Sequence, residues 1–480
     1  MHRPTHDAAP SALTTTAAPA QPLKPSLPLQ LAIITAARIA STTRPAIAEQ
    51  AYHARAERKL PGLCSARLNV SFNLRNRSGR GCPIRVARAL LSAHPMTAPA
   101  LDATRSGGPL EDDARLADGL RAPRGAPPNR PSEILLTGVT GFLGGEIAAA
   151  LLRATAARLH CVVRGHSGRP ARERLQRLCR RLDVDPARLV LVESDLFSVA
   201  ADEVLAHRID TVVHCAASVN LFAPYAELRP TNVLGARAVL EVATRGAPKA
   251  VHFVSTVGVF LSPRYRGATV FEDDVVEGAE GLRNGYASSK WVADTMMSRA
   301  RARGFAVTTY RPAFVGWHSA SGRAGAHDVV ALLLLSSFGA RCAPRLDLQI
   351  NSTPVDHVAS TIARFVATSP APPATYHLVN RAAVRFVDLA TAAGLPIVGL
   401  DEWEAAVVAR TPALAQMAAL VRRSQLDPTS GADELHFEHD RTYDDARLRD
   451  ALGPIYRAPP PVDARYVDRF ASSWRVADKR

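Results

Sequence analysis

What this 480-residue chain lacks narrows its class before any motif is read. It has no run of eighteen apolar residues free of charge: Val329 to Ala340 is too short, and Leu27 to Ala40 is broken by Arg38. No membrane span is therefore predicted. Its six cysteines, at positions 64, 82, 161, 179, 215 and 342, include no CxxC pair and no zinc-ligand spacing. That points to reduced thiols in a cytoplasmic protein, with no metal site. No internal repeat is evident. Acidic residues are scarce at one end only. Residues 1–95 hold 13 Lys and Arg against 3 Asp and Glu, so +10 of the net charge of +15 belongs to that arm. A basic arm suits nucleic acid or an acidic surface. Its only aromatic residues, however, are Tyr52 and Phe72, which leaves base stacking little support, and no nucleic-acid partner is expected.

The arm is rich in Ala, Pro, Arg, Ser and Thr and has no sustained period. Three readings compete: a disordered leader, a targeting peptide, or upstream sequence translated from a misplaced start, with Met96 as an in-frame alternative. Residues 96–131 read as a linker ending in Pro123 to Pro131, and the folded unit is expected to begin near Ser132. From there apolar strands, at 133–137, 159–163, 188–192, 211–215, 250–255 and 306–310, alternate with helical patterns at 144–157, 170–182, 230–245 and 285–302. Such alternation predicts an α/β fold, a Rossmann-type doubly wound parallel sheet with helices on both faces.

The most informative stretch is Ile134 to Gly144, ILLTGVTGFLG. An apolar strand meets Gly138, Gly141 and Gly144, and an alanine-rich helical segment follows. Glycines allow a tight turn and close approach of a pyrophosphate to the backbone, while the helix offers free N–H groups and the positive end of its dipole. The second strand ends at Arg164. NAD-binding units carry an acid in this region for the ribose 2′-hydroxyl, whereas an Arg suits a 2′-phosphate. Arg174 is placed to join it, and the expected cofactor is NADP(H).

After the fourth strand comes His214-Cys215-Ala216-Ala217-Ser218, where the small residues Ala216 and Ala217 let a ribose and nicotinamide pass close to the backbone. The fifth strand ends in Ser255-Thr256, and Tyr286-Ala287-Ser288-Ser289-Lys290 follows. A spacing of four places Tyr286 and Lys290 on one helical face. Hydride delivery to a carbonyl creates an oxyanion that needs a proton. A Tyr hydroxyl can give it, a neighbouring ammonium favours the phenolate, and the Thr256 hydroxyl can hold the oxyanion. Thr256, Tyr286 and Lys290 are the candidate catalytic residues.

In the order TGVTGFLG, VVRG, HCAASVN, VSTVGV, YASSK and RPAFVG the chain resembles the extended short-chain dehydrogenase/reductases. Within them LLTGVTGFLGGEI, CVVRG with the later Arg174-Leu175, and the VN after HCAAS look most like thioester reductase domains. Those domains end some nonribosomal peptide synthetases and carboxylic acid reductases. The resemblance covers roughly residues 111–475 and implies NADPH-dependent reduction of a thioester, borne by an acyl-carrier protein or coenzyme A, to an aldehyde. Whether reduction goes on to an alcohol stays open. The resemblance further implies that Gly138, Gly141 and Gly144 contact the pyrophosphate while Thr140, Phe142 and Leu143 shape the loop. Arg164 and Arg174 would take the 2′-phosphate, and Asp195 and Leu196 would flank the adenine. Tyr286 and Lys290 would also touch the cofactor. Residues 132–318 would then form the NADP-binding domain and 319–480 mainly a smaller substrate-binding subdomain. Ser194 stands where the family usually has Gly, and Ala236 replaces the Thr of its N-x-x-G-T pattern. Two alternatives stay open: a reductase or epimerase-like enzyme acting on a ketone, steroid or nucleotide sugar, and a non-catalytic NADP sensor.

Overall fold

A computed structural model describes residues 109–478, apart from 166–167, 222, 277–278, 280, 283, 326–327 and 427–440. The expectations for residues 1–108, a disordered arm and the alternative start at Met96, lie outside the described residues.

Seven parallel strands form the central sheet: β1 (Glu133–Thr137), β2 (Arg158–Val163), β3 (Leu189–Glu193), β4 (Thr211–His214), β5 (Ala250–Val254), β6 (Ala306–Pro312) and β7 (Thr375–Leu378). Their spatial order is β3-β2-β1-β4-β5-β6-β7, the doubly wound order of dinucleotide-binding folds with one strand added. The order reverses between β1 and β4, where Thr137 lies opposite both Val162 and His214. A crevice opens at such a switch point, beyond the carboxyl ends of the strands.

The apolar runs exist because both faces of the sheet are covered. On one face Ile134 and Leu136 pack with helices α1 (Phe142–Ala154), α2 (Ala171–Leu182) and α6 (Val355–Thr368). On the other Leu135 packs with α3 (Gly235–Ala243) and α4 (Gly285–Ala302). A further core gathers Trp317, α5 (Val329–Ala340), Trp403 of α7 (Leu400–Arg410) and α8 (Ala415–Leu426), with Tyr466 and Phe470 of α9 (Ala464–Asp478). There the Trp317 and Tyr466 rings stack at 4.5 Å. Tyr466 donates its hydroxyl to the Trp317 carbonyl at 2.6 Å, and the Trp317 indole donates to the Tyr466 carbonyl at 3.1 Å.

One break between helices has a local cause, and one expected helix begins in another form. α7 and α8 are separated at Pro412, whose ring and missing N–H interrupt an α-helix. The pattern over 230–245 starts with a π-helical turn at Pro230–Leu234 before α3. The carboxyl-terminal stretch also returns to the main sheet. α6 packs against α1, and β7 becomes the edge of the main sheet beside β6. Among the described residues no helix is long and apolar enough to cross a membrane.

Candidate active site

The glycine turn is compact. Gly138 has φ +74°, and a Cβ there would lie 2.7 Å from the Ala216 backbone nitrogen. A Cβ on Gly144 would lie 2.1 Å from the Gly138 carbonyl oxygen. Glycine is therefore required by the backbone itself. Gly141 precedes α1 with no side-chain cap, and the unpaired N–H groups of a first helical turn attract anions. Phe142 and Leu143 open that helix. Arg323, arriving from beyond Trp317, stacks over the Phe142 ring at 5.1 Å and pairs with the buried Glu146 on α1. Neither partner of this pair stood out in the sequence, because 177 residues separate them.

Arg174 lies across the turn. It donates to the Arg164 carbonyl at 2.5 Å and to Thr140 Oγ1 at 2.8 Å. Arg164 is exposed at the end of β2. Two guanidinium groups thus stand close together beside the glycine turn. Asp195 caps a short helix by accepting from the Ser198 N–H at 2.8 Å, with Leu196 opening that helix. Leu196 also packs near Gly235 at the start of α3.

The β4 end is tied to the turn. Thr137 Oγ1 accepts from the Ala216 N–H at 3.1 Å and shares a 2.8 Å hydrogen bond with His214 Nδ1. Burial lowers His214 to about 3, so it is neutral. Ala216 and Ala217 remain partly open. Asn232 supports them: its side chain accepts from Ser218 N–H at 2.7 Å and donates to the Ser218 carbonyl and to Ser289 Oγ on α4.

Thr256 follows β5 and caps a 3-10 turn, its Oγ1 accepting from Gly258 N–H at 3.1 Å. Its own hydroxyl proton is left to donate. Asn284 caps α4 by accepting from Ala287 N–H at 3.0 Å, which puts Tyr286 in the first turn and Lys290 one turn later. Lys290 is buried, donates to the Val254 carbonyl at 2.7 Å and sits 4.6 Å from the centre of the Phe253 ring. Burial lowers it to about 8, against the pull of Asp294 and Cys215. Tyr286 moves in the direction opposite to the sequence expectation. Desolvation, and then the Cys215 thiol, push the phenol above its ordinary value. Burial is the leading cause, and the Lys290 ammonium hydrogen-bonds to the Val254 carbonyl. Behind Lys290, Asp294 is paired with Arg311 and bonded to Ser255, a network that sequence spacing did not disclose.

Two cavities, of about 540 and 490 Å³, lie along residues 271–276 and 371–376, and neither is lined by Gly138, Thr256 or Tyr286. The candidate site lies at the carboxyl ends of the strands, where the glycine turn meets the β4 corner and Tyr286 and Lys290 lie within reach of Cys215. Among the described residues no group of three potential metal ligands occurs.

The family model described as male sterility protein, an NAD-binding group, matches residues 136–362. The glycine betaine reductase ATRR of Emericella nidulans is 35% identical over 299 residues, 57% of this chain and 23% of that protein. The L-2-aminoadipate reductase of Saccharomyces cerevisiae is 31% identical over 265 residues, 50% of this chain and 19% of that protein. The chain thus spans less than a third of the length of these curated relatives. Among solved structures, the terminal R domain from the myxalamid PKS-NRPS biosynthetic pathway superposes with a TM-score of 0.67 at 31% identity. That match covers 76% of this chain and 96% of that domain. Together with the fold and the glycine turn, these likenesses establish that the chain belongs to the thioester reductase domain family of nicotinamide-dinucleotide-binding reductases.

Proposed function

We propose that this protein reduces an acyl thioester, presented by an acyl-carrier protein or coenzyme A, to an aldehyde with NADPH. One observation supports this reading: Lys290 donates to the Val254 carbonyl at the end of β5, two residues before Thr256, and Tyr286 and Lys290 both feel Cys215 at the end of β4, next to the glycine turn. Gly138, Gly141 and Gly144 would receive the pyrophosphate, and Arg164 with Arg174 the 2′-phosphate. Leu196 and Asp195 would bound the adenine, and Ala216 and Ala217 the nicotinamide ribose. The reduced nicotinamide, when bound, supplies hydride to the thioester carbonyl carbon.

The chain's residues manage the charge that results. As the carbonyl π pair moves onto oxygen, the Thr256 hydroxyl donates a hydrogen bond to that oxyanion. Tyr286, kept neutral by its raised affinity for protons, gives its proton to the same oxygen. Lys290, charged below about pH 8, steadies the phenolate that forms. The thiohemiacetal then collapses: its C–S bond breaks, the O–H proton is released, and the sulfur leaves to become a thiol. Residues 132–318 serve the cofactor and 319–480 mainly the acyl group. The free thiols of Cys161, Cys179, Cys215 and Cys342 suit a cytoplasmic setting.

The test is NADPH oxidation measured against acyl-CoAs, acyl-carrier proteins, ketones and nucleotide sugars. Turnover of thioesters with release of free thiol is expected. Turnover of ketones or nucleotide sugars alone overturns the substrate class.

A further inference from the structure

Asp294 lies one helical turn beyond Lys290 on α4 and is 1% exposed. Arg311, at the carboxyl end of β6, grips it through two hydrogen bonds of 2.8 and 3.0 Å. Ser255, the residue before Thr256, donates to it at 2.5 Å. Three secondary-structure elements therefore meet on one carboxylate. A buried ion pair alone is weak evidence of a stabilising role, since desolvation offsets the attraction. Its connections are more telling. Through Ser255 it holds the corner that presents Thr256, and on its own helix it is the anion acting on Lys290.

We propose that Asp294 is a positioning residue, whose carboxylate clamps the Ser255–Thr256 corner and retains the ammonium charge on Lys290. This rests on the reading of Thr256, Tyr286 and Lys290 as the reaction centre. The groups facing Lys290 from its surroundings are few. The β4 end brings His214 and Cys215, the β5 end brings the Phe253 ring and the Val254 carbonyl, and α4 itself brings Tyr286 and Asp294. Arg311 reaches the cluster through Asp294. Of these, His214 is held near 3, Cys215 is pushed up to about 12 and Tyr286 is raised, while Asp294 is lowered. Lys290 is thus the group in this cluster that titrates between pH 6.5 and 9.

The test compares Asp294→Asn, which keeps a hydrogen-bonding shape but loses the charge, with the unaltered protein. Removing an adjacent opposite charge lowers an ammonium's titration by about one to three pH units. The basic limb of the kcat profile should move down by that much, so that turnover at pH 9 falls about tenfold or more beyond any loss at pH 6.5. A second readout needs neither cofactor nor substrate. A Lys with a depressed folded value adds stability as pH rises towards its unfolded value. Between pH 6.5 and 9, Asp294→Asn should gain more melting temperature than the unaltered protein, and the added change Lys290→Met should abolish that gain. Should Asp294→Asn not fold, Arg311→Gln tests the same link with the opposite sign, moving the basic limb upward. Ser255→Ala should lower kcat while leaving the limb in place. An unmoved limb, together with a melting difference independent of pH, overturns the proposal and leaves Asp294 a packing element. If no thioester is turned over but the melting shift appears, the substrate reading falls and the positioning role stands.

Discussion

Arg174 on α2 and Thr140 in the glycine turn are joined by a 2.8 Å hydrogen bond across a sequence separation of 34 residues. The same guanidinium donates to the Arg164 carbonyl, so the turn, the end of β2 and α2 are tied into one corner that carries two guanidinium groups.

That corner predicts cofactor choice. NADPH should bind far more tightly than NADH. Arg164→Ala should weaken NADPH by about 1.5–3 kcal/mol, the weight of a charge-assisted phosphate contact, with little effect on NADH. Arg174→Ala should do the same and also loosen the turn. Fluorescence titration with both dinucleotides checks this, and equal affinities in the unaltered protein would refute it.

Replacing Tyr286 by Phe keeps the ring but removes the proton donor. Turnover should fall by roughly 10²–10⁴-fold with NADPH affinity nearly unchanged. Single-turnover kinetics alongside cofactor titration separates the two effects. A normal rate for Tyr286→Phe sinks the assignment of the acid.

Gly144→Ala tests the backbone requirement. The added Cβ would stand 2.1 Å from the Gly138 carbonyl oxygen, a backbone atom with nowhere to go. Overpacking of this kind costs about 1–3 kcal/mol, so a lower melting temperature and loss of NADPH binding are expected together. Wild-type affinity in a stable Gly144→Ala protein would show that the turn rearranges freely.

Asp328 gives a pH test away from the site. It caps α5 by accepting from Ala331 N–H at 3.0 Å, while its Oδ2 is buried without a partner among the described residues. Burial pushes it up to about 7. The folded state therefore favours the neutral acid, and the stability this contributes is present at low pH and lost as pH rises through about 7. Asp328→Asn keeps the capping oxygen and removes the charge. Its melting temperature relative to the unaltered protein should climb between pH 5 and 8, by on the order of a few degrees. A difference that stays constant with pH would show that the carboxylate finds a partner.

The sequence by itself determined the alternating strands and helices, the glycine turn, Arg164 and the helical pairing of Tyr286 with Lys290. Each is a short-range pattern, in which residues a few positions apart share a face or a turn wherever the chain goes. Tertiary structure decided the rest. It brought Arg323 to Glu146, returned α6 and β7 to the main sheet, and gathered Ser255, Asp294 and Arg311 into one buried cluster. It also set the direction of the Tyr286 shift. Spacing indicated that an ammonium lies near the phenol, but its effect depends on how much water the fold removes and on where the Lys290 hydrogen bond goes. Burial is a property of the packed whole, so only the fold determined that desolvation prevails.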